Sequence, residues 1–181
     1  MKTFAMVSVL GKDRPGIVAG VTKVLFETGC NIEDSSMTML ASEFAMILMI
    51  ALPPKLSLKQ LSSKFSPLSK KTGLSVSLKP LKASEEARPC SKGDPYMISV
   101  YGADKPGIVY NISKYLASKK ANITDVQTTI SSVDGKHTYI MLLEVTLQAG
   151  ASSGQFKAEL AKVAGSLGVS VSMSAVETEN L

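Results

Sequence analysis

Tryptophan is absent from this 181-residue chain, histidine occurs once, at His137, and cysteine twice, at Cys30 and Cys90. These shortages close several routes to function. One histidine and two unrelated cysteines assemble neither a zinc site nor a Cys/His nucleophile. Neither cysteine belongs to a Cys-x-x-Cys pair or a disulfide framework. No apolar stretch reaches the roughly 18 residues of a membrane-spanning helix; the longest, Phe44 to Leu52, is the size of a strand. No charged-then-apolar leader precedes the first strand-like segment, so a cytoplasmic location is expected. With aromatic residues at only 6% and nine methionines, the cores are expected to be aliphatic and methionine-rich. No cofactor, metal or membrane partner is expected.

What the chain does have is a repeat. Val9-Leu10-Gly11-Lys12-Asp13-Arg14-Pro15-Gly16-Ile17-Val18 returns 91 residues later as Val100-Tyr101-Gly102-Ala103-Asp104-Lys105-Pro106-Gly107-Ile108-Val109. At the same spacing Asn31-Ile32-Glu33-Asp34 falls on Asn122-Ile123-Thr124-Asp125. Self-similarity of this length means two copies of one structural unit. The expected division is 1–81 for the first domain, 82–94 for a Ser-, Glu- and Pro-rich linker, and 95–181 for the second.

Each copy reads as strand, helix, strand, strand, helix, strand. Phe4 to Leu10 is a mostly apolar strand, and Ile17, Val21, Val24 and Leu25 mark one face of the helix after it. Gly29 ends that helix. Strands follow at Cys30 to Leu40 and Phe44 to Leu52, then an amphipathic helix on Leu58, Leu61, Phe65 and Leu68, stopped by Gly73. Leu74, Val76 and Leu78 then alternate with polar residues as a half-buried strand does. The second copy repeats this order, with Asp134-Gly135 as the hairpin turn between its middle strands. The fold class is therefore α+β: two ferredoxin-like βαββαβ domains, each an antiparallel four-stranded sheet with both helices on one face.

The repeated stretch is a strand-to-helix turn. Asp13 is suited to accept N–H bonds at a helix start, Pro15 fits a first turn, and Gly16 leaves the backbone open to approach. Two uses of such a turn remain open: a well-capped corner, or a seat for a carboxylate or phosphate on free N–H groups. Asn31 and Asn122 are likewise open between closing a local turn and orienting a ligand as donor and acceptor.

Gly-Lys-Asp-Arg-Pro-Gly-Ile-Val followed by Gly-Cys-Asn-Ile-Glu-Asp-Ser resembles the ACT domain, a small ligand-sensing module of regulators of amino-acid metabolism. The tandem arrangement, with Cys30 to Ser35 and Glu43 to Ile47, resembles the glycine cleavage system transcriptional repressor group. The resemblance implies a non-enzymatic regulator that senses a small amino acid, glycine or similar, and controls transcription through protein–protein contact. It implies a homodimer with a protein partner, either a transcription activator or an enzyme, and no direct nucleic-acid binding. It marks Gly11, Asp13, Pro15, Gly16, Ile17 and Asn31 as ligand-binding, with Gly102, Asp104, Pro106, Gly107, Ile108 and Asn122 as their counterparts. Some amino-acid-binding members carry Asn where this chain has Asp13 and Asp104; here an Asp would hold the ligand ammonium or act as a cap.

Two alternatives stand beside this reading: a regulatory subunit of a metabolic enzyme, and a hydrolase like the acylphosphatases, which share the topology and use an Arg in the first turn, near the place of Arg14. From Lys55 to Lys82 there are seven lysines and no acidic residue. That run is either a solvated face or a docking surface for an acidic partner. The third strands carry Met, Ile and Leu rather than stacking aromatics, which argues against RNA, and no helix resembles a major-groove reader.

Overall fold

A computed structural model describes residues 3–81, 93–133 and 136–176 of the chain. The Asp134-Gly135 turn, Cys90 and most of the linker lie outside the described residues. The chain divides into two units. The first holds β1 (Thr3–Lys12), α1 (Ile17–Glu27), β2 (Asn31–Leu40), β3 (Glu43–Leu52), α2 (Leu58–Thr72) and β4 (Ser75–Leu81). The second holds β5 (Gly93–Gly102), α3 (Ile108–Ser118), β6 (Asn122–Val133), β7 (Lys136–Gln148), α4 (Ser153–Leu167) and β8 (Val169–Ala175).

Both sheets have the same order, β2-β3-β1-β4 and β6-β7-β5-β8, and every ladder is antiparallel. This is the ferredoxin-like arrangement, in which the first and third strands of each unit form the middle of the sheet. Period-two alternation puts Ala5, Val7 and Val9 of β1 and Met46, Leu48 and Ile50 of β3 on the face under the helices, all buried. Ile17, Val21 and Leu25 of α1 and Leu61 and Phe65 of α2 close that core from above. The second unit builds the same core from Ile98, Val100, Ile112, Leu116, Met141, Leu143 and Leu160. Methionine enters both cores, through Met46 in one and Met141 and Met173 in the other.

The opposite sheet face is less covered than an unbroken apolar run such as Phe44 to Leu52 suggests. Ile47 points that way and is 50% exposed. Among the outer strands, β4 carries Lys79 and Pro80, residues that discourage further pairing. β2 carries no Lys, Arg or Pro, and all ten of its residues are exposed. Its charges, Glu33 and Asp34, and an irregularity in the ladder between Ile32 and Asp34 lie near its first end, and the stretch from Ser35 to Leu40 is uncharged.

Candidate ligand site at the strand-to-helix turns

The four helix starts fall into two kinds. α2 opens with a capping box: Gln60 N–H donates to Ser57 Oγ at 3.3 Å, and Ser57 N–H donates to Gln60 Oε1 at 2.9 Å. α4 is capped by Ser152, whose Oγ accepts from Gln155 N–H at 3.4 Å. α1 and α3 have no side-chain cap at all. Their N-cap residues are Gly16 and Gly107, in left-handed conformation with φ of 91° and 94°. The first helical bond of α1 runs from Gly20 N–H to Gly16 C=O. The N–H groups of Ile17, Val18 and Ala19 therefore find no acceptor upstream in the helix. The second helix of each unit is finished by its own sequence, whereas the first is left open.

This corrects two details of the sequence reading. Asp13 does not cap α1 with its side chain; its N–H donates to Ser42 C=O at 2.8 Å, tying the turn to the β2–β3 hairpin. Pro15 precedes the N-cap rather than standing in the first turn. The glycines also acquire reasons of their own. Gly16 and Gly107 supply a positive φ that other L-residues adopt at a cost. Gly11 and Gly102 are small because the last strand crosses close by. A Cβ on Gly11 would lie 2.9 Å from Leu74 Cδ2, and one on Gly102 2.9 Å from Val169 Cγ1.

The first turn walls a groove of about 690 Å³. Asp13, Pro15, Gly16 and Ile17 form one side; Met37 and Met39 of β2 and Phe44 of β3 form the other. The sequence reading missed these last three. Met37 and Met39 pair with the core residues Met46 and Phe44, so they stand on the helix side of the sheet. Yet they are 58% and 61% exposed. The signal was their spacing of two along a strand that shares its face with the core. Arg14 borders the same groove and also a smaller one of about 200 Å³, with Leu68, Lys71 and Thr72 at the C-terminus of α2. In the second unit the equivalent Lys105 reaches the same corner, with Nζ 3.0 Å from where a Cβ on Gly168 would stand. A cation there complements a helix C-terminus.

Asn31 is elsewhere. It pairs with Ala51 on β3, while Gly11 pairs with Phe44 at the other end of that strand. Seven residues separate Phe44 from Ala51, roughly 24 Å at about 3.4 Å per residue. Asn31 Nδ2 donates to Glu33 Oε1 at 3.0 Å. Asn122 repeats the displacement: it pairs with Thr146, and Gly102 pairs with Tyr139. It borders a separate groove of about 540 Å³ with Tyr110, Ala121 and Ile123. Within one unit, Gly11, Asp13, Pro15, Gly16 and Ile17 come together and Asn31 does not join them. Gly102, Asp104, Pro106, Gly107 and Ile108 likewise gather without Asn122.

Tyr139 occupies in the second unit the place Phe44 holds in the first, opposite the glycine that opens the turn. Its ring is in the core at 8% exposure. Burial, and then the Asp104 carboxylate, push its phenol above the ordinary tyrosine pKa. His137 is exposed, as expected of a hairpin position. Among the described residues no cluster of His, Cys, Asp and Glu could hold a metal ion, and no helix is long and apolar enough to cross a membrane.

Comparison with known proteins agrees with this architecture. The ACT domain family matches residues 3–79 and again 95–174. A UPF0237 protein of Methanopyrus kandleri is 54% identical over 50 residues, which cover 28% of this chain and 56% of that one. The glycine cleavage system transcriptional repressor of Escherichia coli is 44% identical over 48 residues, 26% of this chain and 25% of the repressor. The chain thus spans about half, or less, of the length of these relatives. The solved structure of an unknown protein from Galdieria sulphuraria covers 98% of this chain and all of its own, at 27% identity and a TM-score of 0.82. Matched along both units, this chain belongs to the ACT domain family.

Proposed function

We propose that the chain is a non-catalytic regulator that senses a small amino acid, glycine or one of similar size, and acts on transcription through contact with a protein partner. The observation that carries this reading is the contrast between helix starts. In each unit the second helix is capped by serine and the first presents bare N–H groups, which in the first unit open beside a groove. An amino-acid carboxylate satisfies those groups and meets the positive end of the helix. Asp13 lies on the same wall and can receive the ammonium group. The likeness to the repressor of E. coli supports the transcriptional part of the proposal.

A pocket of 300–1,000 Å³ suits a drug-sized molecule, so a groove of about 690 Å³ is roomy for a small amino acid alone. A second copy of the chain, seated antiparallel on the exposed β2 edge, fills the remainder. Antiparallel pairing along β2 turns the Asn31 end of one strand toward the Leu40 end of the other, the end where the groove lies. Asn31 of the partner subunit then supplies the donor and acceptor that the groove's own unit lacks. Binding and dimerisation are one property in this account.

A thermal-shift screen of the folded protein over the twenty amino acids, followed by calorimetry on any that stabilise it, tests the proposal. A small amino acid is expected to raise the melting temperature and to bind at millimolar concentration or below. No response to any of the twenty would leave the turn as a structural corner and remove the sensor. Turnover of an acyl phosphate would replace the sensor with a hydrolase.

A further inference from the structure

The two turns are chemically different, and one of the differences is a buried hydroxyl. Opposite Gly11 stands Phe44, which with Met37 and Met39 gives the first groove a wholly apolar inner wall. Opposite Gly102 stands Tyr139. The positions matching Met37 and Met39 in the ladder are Thr128, paired with Met141, and Ile130, paired with Tyr139. The second turn thus exchanges a phenyl for a phenol and a thioether for a hydroxyl.

Tyr139 Oη is buried and has no hydrogen-bond partner. It lies near enough to Asp104, in the turn itself, for that carboxylate to help hold the phenol protonated. The group is therefore a donor at neutral pH, sequestered from bulk water, on the strand position that faces Gly102 at the head of the turn. A buried donor without an acceptor is unfavourable, and a ligand that supplies the acceptor removes the penalty. A ligand of the same shape without one leaves the penalty in place, which is how polar sites reject apolar analogues.

We propose that Tyr139 sets the selectivity of the second turn for a small amino acid bearing a side-chain hydroxyl, whereas the first turn, walled by Phe44, accepts one without. This rests on the amino-acid site proposed above and names the ligand class of its second copy. A hydroxyl accepts from Tyr139 Oη while the carboxylate sits on the N–H groups opening α3 and the ammonium faces Asp104. No bond is made or broken.

L-Serine and L-alanine differ by that one hydroxyl, and calorimetric titration of the full chain with each is the test. Wild type is expected to show a site that prefers L-serine by roughly ten- to a hundredfold. Tyr139→Phe, which installs the ring already present at Phe44, is expected to abolish the preference without weakening L-alanine. Phe44→Tyr is expected to bring a preference for L-serine to the first turn. If both amino acids bind and Tyr139→Phe leaves their ratio unchanged, this inference is overturned while the site survives. If neither binds the folded wild type, the site itself is overturned and the selectivity with it.

Discussion

Gly11 and Asn31 stand at opposite ends of the first sheet, paired through β3 with Phe44 and Ala51. The ACT resemblance assigns both to one ligand, which the proposed site accommodates by taking the turn from one copy of the chain and Asn31 from the other. Dimerisation then has a defined surface. Replacing Met37 by Lys on the uncharged half of the β2 edge puts charge where strand pairing is proposed. Light scattering at micromolar concentration should show a dimer for wild type and a monomer of about 19 kDa for Met37→Lys. A monomeric wild type would remove the second copy from the site.

The left-handed backbone at the turns and helix ends gives a stability prediction independent of ligand. Gly16→Ala adds a Cβ in open space, so its cost is the conformation alone, about 1–2 kcal/mol. Lys120 has φ of 55° where the first unit has Gly29 at 71°. Lys120→Gly should therefore stabilise the second unit by up to about 1 kcal/mol. Denaturant unfolding measures both, with opposite signs expected.

Tyr115 predicts behaviour in alkali. Burial, then the Glu159 carboxylate, push its phenol up to about 12, while its hydroxyl donates to Phe156 C=O at 3.0 Å. The unfolded chain ionises this tyrosine near 10. Between pH 10 and 12 the folded state holds a proton that the unfolded state has released. Stability should fall with rising pH across that window. Tyr115→Phe should flatten the fall, and ultraviolet titration should lose the component that ionises last. An unchanged slope would assign the alkaline loss to other groups.

Lys55, Lys59 and Lys64 are exposed, on and just before α2, in a stretch without acidic residues. Reversing all three to Glu should leave thermal stability nearly unchanged, because exposed charges contribute little to folding. If this face docks an acidic protein partner, capture of that partner should weaken at low salt, where electrostatic attraction is least screened. Equal capture by wild type and variant would make it a solvated face.

Much of the fold was legible because it is local. Gly29 and Gly73 end their helices in left-handed conformation, and Val21, Leu25, Leu61 and Phe65 are buried as their spacing requires. The site was less legible because its parts obey different constraints. Gly11 was marked only through the family resemblance, and its small size also makes room for Leu74, a contact between segments far apart in sequence. Asp13 has the chemistry of a cap, but the cap position fell to Gly16, three residues on. The distance of Asn31 from the turn was readable in principle. A right-handed crossover returns the chain to the end of the sheet where β1 began, so β2 starts far from where β1 stops.

Mixing two defective chains tests the shared site most directly. Gly16→Val strains the turn and crowds the bare N–H groups; Asn31→Ala removes the orienting amide. Each homodimer carries two damaged first-unit sites, whereas a mixed dimer carries one doubly damaged and one intact site. Calorimetric titration with glycine, L-alanine and L-serine should find binding at the first-unit site weakened in each variant alone, by about one to two powers of ten for Asn31→Ala, with the second-unit site unchanged. After the two are mixed and allowed to exchange subunits, wild-type affinity should return at a fraction of the sites. A mixture that binds no better than the sum of its parts would contradict a site built from two copies.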